Sequence, residues 1–159
     1  MNRFTPDSGA SRVFDVRAFG AAGDGHTLDQ TAIQTAIDAC HLAGGGCVYL
    51  PPGTYLSGAI RLRSNIRFHL EAGAILQGTG HRADYNPPHL LSAEDAEHVT
   101  VEGRGIIDGS GPSFWFPKPG GRDPNFKPER QGWGEIEGFG WDYRERPSQM
   151  LRFTHCRNV

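Results

Sequence analysis

Three aspartates have the residue type that general acid–base chemistry needs, yet each has a structural explanation. Asp108 precedes Gly109, and an aspartate in such a turn accepts hydrogen bonds from nearby backbone amides. Asp24 and Asp29 flank the start of a predicted helix, where carboxylates accept backbone N–H bonds and interact favourably with the helix dipole. We therefore predict that all three aspartates are structural.

The residue types that bind metals or phosphates lack the spacing that such sites need. The seven histidines are scattered, with no pair at the spacing of a zinc site. Cys40, Cys47 and Cys156 are predicted to be buried thiols, and a Cys40–Cys47 bridge is the alternative. The glycine run 44–46 is not followed by the Lys-Ser/Thr of a phosphate loop. The sequence therefore indicates no metal, nucleotide or other cofactor.

All three tryptophans lie in one segment rich in glycine and proline, at about 110–148. We predict that this segment is a loop inserted between repeated units. Loops on a rigid scaffold often bind ligands, and flat aromatic rings stack on sugar faces. Trp115, Trp133 and Trp141 are therefore the candidate substrate-binding residues. The alternative is that they pack the loop against the rest of the chain.

Charge and composition exclude several classes of function. The chain has 159 residues, with 16 Lys+Arg against 18 Asp+Glu, and this balance predicts no contact with nucleic acid. A hydrophobic content of 37% suffices for a core but predicts no membrane span. Only Lys118 and Lys127 are lysines, so arginine carries the positive charge. Arginine binds carboxylates bidentately, which suits an acidic polymer, although composition bias explains the excess equally well.

The apolar pattern predicts one helix near the start of the chain. Apolar residues recur at helical spacing from Thr31 to Ala43, and Gly44–Gly46 end the segment. Thr27 and Gln30 have the spacing of a capping box, and Asp29 is the alternative N-cap. We expect this to be the only substantial helix.

After residue 47 the apolar period changes from helical to alternating, which predicts short strands. Within residues 59–71 the alternation is strict, and Arg61 and Arg67 are expected to face outward. The predicted inward set is Ile60, Leu62, Ile66, Phe68, Leu70, Val99 and Val101.

A weak internal repeat relates residues 65–76 to residues 98–108, and 157–159 looks like the start of a third copy. Short strands joined by tight turns cannot bury their apolar faces alone, so repeats of this kind stack into a solenoid. We predict an all-β solenoid of parallel strands over 13–159, capped by the helix at one end and truncated inside its last coil. Residues 1–12 are predicted to be a polar tail, and they lack the apolar run of a secretory signal.

Two groups of motifs carry a resemblance to known families. FDVRAFGAAGDG at 14–25, the predicted helix, and GGGCVYLPPGTY at 44–55 resemble the entry of the pectate-lyase-like β-helix superfamily. GRGIIDGSG at 103–111 with the following Phe-Trp, and the stretch 146–159, resemble more narrowly the family-28 glycoside hydrolases, the polygalacturonases. The resemblance implies a right-handed parallel β-helix with an N-terminal capping helix.

The resemblance also implies an activity, namely inverting hydrolysis of α-1,4-galacturonosidic bonds in cell-wall pectin by a pair of carboxyl groups. The family's catalytic motifs, Asn-Thr-Asp, Asp-Asp, Gly-His-Gly and Arg-Ile-Lys, are not in this sequence. No catalytic residue is therefore expected in this chain, and the catalytic residues are expected beyond Val159.

The same resemblance predicts the partner and the location. The expected partner is pectin, polygalacturonate or an oligogalacturonide, and the expected location is extracellular or periplasmic. The length of the tryptophan-bearing loop resembles that of exo-acting bacterial members. A pectate-lyase-type polysaccharide lyase and a non-enzymatic carbohydrate-binding β-helix would share this scaffold, and both remain alternatives.

Overall fold

Strands dominate the chain, as the alternating apolar pattern predicts. The computed structural model describes residues 12–114 and 149–159, and its α-helix, α1, is Gln30–Leu42. Short 3₁₀ turns occur at Val16–Phe19, Arg82–Asp84 and Gly111–Phe114. The strands are β1 (Val13–Asp15), β2 (Asp24–Leu28), β3 (Gly46–Leu50), β4 (Gly53–Ser57), β5 (Ile60–Arg61), β6 (Ile66–Leu70), β7 (Ala74–Gly78), β8 (His89–Glu94), β9 (Thr100–Gly103), β10 (Ile106–Asp108) and β11 (Gln149–Thr154).

The strands form three sheets in which every pairing is parallel. Sheet 1 has the order β1-β3-β6-β9, sheet 2 the order β2-β4-β7-β10, and sheet 3 the order β5-β8-β11. The chain visits the three sheets in turn, so one strand from each sheet makes one coil. This arrangement confirms a parallel β-helix. Its handedness, the capping role of the helix and the truncation stay predictions.

In the first coil a helix stands where later coils have a strand of sheet 3. α1 follows β2 and packs against β1, β3, β5 and β6. Its apolar stripe buries Ile33, Ala36, Ile37 and Cys40. Burial of an isoleucine side chain contributes roughly 1.5–3 kcal/mol to the stability of the fold. The predicted span, Thr31 to Ala43, is confirmed to within one residue at each end.

The start of α1 differs from the predicted capping box. Asp29 occupies the N-cap position, but its side chain makes no hydrogen bond to the helix. Its buried carboxylate instead accepts hydrogen bonds from the backbone N–H groups of Ala22, at 2.7 Å, and Gly23, at 3.0 Å. The Thr27 hydroxyl donates to Asp24 at 2.8 Å. The capping box of Thr27 and Gln30 is therefore wrong, because the N-cap position belongs to Asp29, the predicted alternative. The Asp29 carboxylate binds the amides of the glycine-rich turn and not those of the helix.

The inward side chains form one continuous core. Of the predicted inward set, all but Val101 are at most 3% exposed, and Val101 is partly buried against the same core. Register places Val48, Phe68 and Val101 on adjacent strands of sheet 1. Arg61 and Arg67 are exposed, as predicted.

The internal repeat is confirmed by the register of sheet 1, which pairs Arg67 with Thr100. Each copy begins with a residue in the left-handed backbone region, at Asn65 (φ 64°), His98 (φ 55°) and Asn158 (φ 55°). Asparagine tolerates this region better than most residues do, since its short polar side chain can hydrogen-bond locally.

The cysteines are free thiols. Cys40 and Cys47 are buried, as predicted, whereas Cys156 is only partly buried. Cys40 faces the core and lies close to Gly46. Its Sγ is 3.3 Å from the position that a Cβ atom would occupy if Gly46 had a side chain. Alternation along β3 turns Val48 inward and Cys47 outward, so the two thiols point to opposite faces and the alternative bridge is not formed. Burial raises the pKa of Cys40 to about 11.

Candidate functional site

A groove of about 660 Å³ lies over sheet 3. Residues of β5, β8 and β11 line it, together with the C-terminal end of α1 and the segment that precedes β8. Alternation along each strand sends every second side chain out of the core and into this groove. The stacking of coils therefore decides which of these side chains lie side by side.

A row of three polar residues crosses the groove. Register pairs Arg61 of β5 with Ser92 of β8, and Ser92 with Arg152 of β11. Because adjacent strands are about 4.8 Å apart, the Cα atoms of the two arginines are roughly 10 Å apart, with Ser92 midway. Both arginines are exposed, whereas Ser92 is only 8% exposed and belongs to the floor. We call these residues the arginine row.

Both guanidinium groups of the arginine row hydrogen-bond neutral oxygens. An Nη2 of Arg61 donates to the carbonyl of Asn86 at 3.2 Å. The Nε of Arg152 donates to the hydroxyl of Thr154 at 3.2 Å. Within residues 12–114 and 149–159, neither arginine forms an ion pair with a carboxylate.

Three other exposed arginines are paired with carboxylates. Arg63 lies 3.1 Å from Asp38, Arg67 lies 2.8 Å from Glu102, and Arg157 lies 3.9 Å from Glu97. These exposed pairs neutralise charge but are each worth only about 0–1 kcal/mol. The arginine row is thus the part of the groove whose positive charge can meet an anion from solvent.

Oxygen-bearing side chains adjoin the arginine row. Glu94 is the next outward residue on β8 and pairs in register with Thr154 of β11. Asp95 follows, with its carboxylate 3.5 Å from a ring nitrogen of His155. The groove therefore offers cationic donors in one row, and a carboxylate and a hydroxyl in the next. This charge pattern suits a ligand that carries both carboxylates and hydroxyl groups.

A second polar cluster lies on the outer face of sheet 1, and its members bind one another. The rings of Tyr49 and His69 stack with centroids 5.8 Å apart, and the Tyr49 hydroxyl donates to Glu71 at 3.3 Å. Glu102 accepts from Arg67 at 3.0 Å and lies 3.4 Å from a ring nitrogen of His69. The hydrogen bond from Arg67 lowers the pKa of Glu102. We assign this cluster to sheet stability.

Asp108 has the turn role predicted for it, whereas Asp24 is structural but does not cap the helix, because it binds amides two and three residues further along the chain. The Asp108 carboxylate accepts from the backbone N–H of Ser110 at 2.8 Å. Asp24 accepts from the backbone N–H groups of His26 and Thr27, at 2.9 and 2.7 Å. These hydrogen bonds lower the Asp24 pKa to about 2. Neither aspartate lines the groove.

The candidate substrate-binding tryptophans, Trp115, Trp133 and Trp141, lie outside the described residues. The sequence analysis missed the arginine row. Alternation predicted that Arg61 faces outward, but its alignment with Ser92 and Arg152 depends on register between distant coils. Among the described residues, no group of His, Cys, Asp or Glu could hold a metal ion, and no helix is long and apolar enough to cross a membrane.

Comparisons with known proteins agree with this fold. A family model described as rhamnogalacturonase A/epimerase, pectate lyase-like, matches residues 13–83. An exo-poly-α-D-galacturonosidase of Dickeya chrysanthemi is 35% identical over 67% of this chain and 21% of its own length. The mannuronan C5-epimerase AlgE6 of Azotobacter vinelandii is 32% identical over 87% of this chain and 18% of its own. The family-28 exopolygalacturonase structure of Yersinia enterocolitica has a TM-score of 0.65 and 28% identity, and covers 92% of this chain and 33% of that one.

The class of protein is therefore a pectate-lyase-like parallel β-helix, which confirms the resemblance seen in the sequence. Within this class, the chain is similar to the polygalacturonases of glycoside hydrolase family 28. It spans about a fifth of the length of the curated relatives described above.

Proposed function

We propose that this chain forms the substrate-binding N-terminal coils of a glycoside hydrolase that cleaves α-1,4-galacturonosidic bonds in pectin with inversion. The relative named exo-poly-α-D-galacturonosidase, 35% identical, supports this activity and favours attack at a chain end. The observation that carries the proposal is the arginine row of Arg61, Ser92 and Arg152 in the groove over sheet 3.

The arginine row has the chemistry that a galacturonan would meet. Each galacturonate unit bears one carboxylate, and a guanidinium group binds a carboxylate through two parallel hydrogen bonds. The row runs from strand to strand, which is the direction in which the coils stack. A polymer lying along this direction passes Arg61, Ser92 and Arg152 in succession. Its hydroxyl groups would then face Glu94 and Thr154 in the adjoining row.

The hydrolytic step needs a general acid, and a base that activates water from the opposite side of the sugar ring. We assign both to residues outside this chain, because the motifs that supply them in the family do not occur in its sequence. This chain would bind and orient the polymer, and the intact protein would act on it in an extracellular or periplasmic location.

A second candidate activity is C5-epimerisation or lyase cleavage of a polyuronide. The relative named mannuronan C5-epimerase, 32% identical, favours it. Mannuronan and galacturonan both carry one carboxylate per sugar, so the arginine row would serve either polymer. The products of the intact protein distinguish the activities. Hydrolysis and lyase cleavage both release reducing ends, but only lyase cleavage leaves an unsaturated sugar, and epimerisation leaves chain length unchanged.

The binding part of the proposal can be tested on the chain itself. Titration with oligogalacturonate should give saturable binding that weakens with salt, whereas a neutral glucan of equal length should not bind. Arg61→Gln should weaken binding. Arg104→Gln is the matched control, because it removes the same charge from an exposed turn between β9 and β10. The chain alone should release no reducing ends from polygalacturonate. Equal affinity for the neutral glucan would overturn the proposal.

A further inference from the structure

We infer that Arg61 and Arg152 together hold a single carboxylate above Ser92, and that this contact sets the register of the polymer on the coils. The inference rests on the proposed function and deepens it. We call the space between Arg61, Ser92 and Arg152 the notch, and one uronate unit is anchored there. The alternative arrangement is that each arginine binds the carboxylate of a different sugar.

The spacing of the row favours a shared carboxylate. The two arginines stand on β5 and β11, one strand to either side of Ser92. Their Cα atoms are roughly 10 Å apart. An extended arginine side chain reaches more than half of that distance, so both guanidinium groups can reach a point above Ser92. Each has spare N–H donors, because within the described part of the chain its side-chain hydrogen bonds use one nitrogen only.

The small side chain of Ser92 keeps this point open. Leucine or valine here would fill the space between the two guanidinium groups, whereas serine forms a low floor. Its hydroxyl donates to the Ile60 carbonyl at 3.4 Å, which is long for an O–H···O hydrogen bond. The hydroxyl can therefore turn toward a bound carboxylate with little loss. Ser92 would then add a third donor to those of the two arginines.

The neighbours of Ser92 on β8 exclude a carboxylate from adjacent positions. Glu94 is the next outward residue on one side, and its negative charge repels an anion displaced toward it. On the other side of Ser92, Leu90 is buried in the hydrophobic core and offers no hydrogen-bond donor to the groove. A carboxylate is thus bound best above Ser92, and the sugar that carries it is fixed in position along the stack of coils.

The experiment measures Kd for an oligogalacturonate and for its methyl ester of equal length, at one ionic strength. The ester has no charge and accepts weaker hydrogen bonds, so we expect its Kd to be about tenfold higher than that of the acid form. Arg61→Gln and Arg152→Gln should each remove most of this preference, and the double variant should lose little more. Such non-additivity is the signature of two residues that act on one group.

Two variants of Ser92 test the notch itself. Ser92→Val fills it with a side chain that strands accept readily, and should lower affinity for the acid form about tenfold with little change for the ester. Ser92→Ala keeps it open and should lose only a small part of the affinity. Thermal unfolding of each variant identifies any that fail to fold, and in that case the arginine variants carry the test.

The outcomes separate this inference from the proposed function. If the wild-type chain binds neither form of the oligosaccharide, both proposals are wrong. If both forms bind equally, the arginine row does not bind a carboxylate, and the observation that carries the proposed function is wrong as well. If only the losses from the two arginine variants add, the groove binds the polymer but the shared carboxylate is wrong. If Ser92→Val leaves the affinity for the acid form unchanged, the position of the notch is wrong.

Discussion

The side-chain amide of Gln34 on α1 takes the place of a neighbouring strand beside Arg61 on β5. Its Nε2 donates to the Arg61 carbonyl at 3.0 Å, and its Oε1 accepts from the Arg61 backbone N–H at 2.9 Å. A residue in a β-ladder exchanges the same two hydrogen bonds with its partner strand. One turn earlier, Gln30 donates to the Ala59 carbonyl at 2.9 Å. Two glutamines of the helix thus satisfy the edge of sheet 3 where the arginine row begins.

Replacing Gln34 by alanine should therefore destabilise the chain. The change leaves both backbone groups of Arg61 without their partner, and we expect a loss of about 1–2 kcal/mol in the free energy of unfolding. Urea denaturation measures it. Thr35→Ala is the matched control on the exposed face of the same helix and should change stability by less than about 0.5 kcal/mol. Equal losses in the two variants would contradict the strand-like role of Gln34.

The turn residue His98 offers a stabilising substitution. Its backbone is left-handed, with φ of 55°, and the equivalent residues of the neighbouring coils are Asn65 and Asn158. Asparagine tolerates this backbone better, so His98→Asn should raise the free energy of unfolding by up to about 1 kcal/mol. His98→Val should lower it, because a branched side chain crowds this conformation. A thermal melt in which the asparagine variant unfolds below the wild type would refute the prediction.

The Arg67–Glu102 pair should make stability depend on pH in acid. The hydrogen bond from Arg67 lowers the pKa of Glu102 below its ordinary value of 4.5, so the folded chain holds this proton less tightly than the unfolded chain does. The stabilisation is present above the unfolded pKa and is lost as the pH falls through the folded pKa. The free energies of unfolding of the wild type and of Glu102→Gln should therefore differ near neutral pH and become similar in acid. Arg67→Gln should likewise reduce the change in the free energy of unfolding between neutral and acid pH.

The tryptophans of the predicted loop should affect affinity more than stability. Replacing Trp115, Trp133 or Trp141 by alanine in the intact protein should raise the KM for oligogalacturonides for at least one of the three, since loss of ring stacking removes about 1 kcal/mol. Phe114→Ala is the control, because Phe114 is buried and its ring packs edge-on against Tyr85. It should lower the melting temperature and leave KM unchanged. If all three tryptophan variants behave like the control, the packing alternative is correct.

Local sequence determined the elements of this protein. The helical period at 31–43 and the alternation at 59–71 specified α1 and the inward side chains, because each element must bury one face whatever lies opposite. The repeat that begins at Asn65 and again at His98 predicted the stacking, because short strands with one apolar face need neighbours. The structural role of Asp108 followed from its own turn, since the amide it accepts from is two residues away.

Only the tertiary structure decided which distant residues meet. The arginine row exists because parallel register places Arg61, Ser92 and Arg152 side by side, and a shift by one residue would turn each arginine toward the core. Asp29 binds the glycine turn and Gln34 binds Arg61 for a similar reason. A polar side chain takes the partner that packing brings nearest, and sequence spacing does not specify which partner that is.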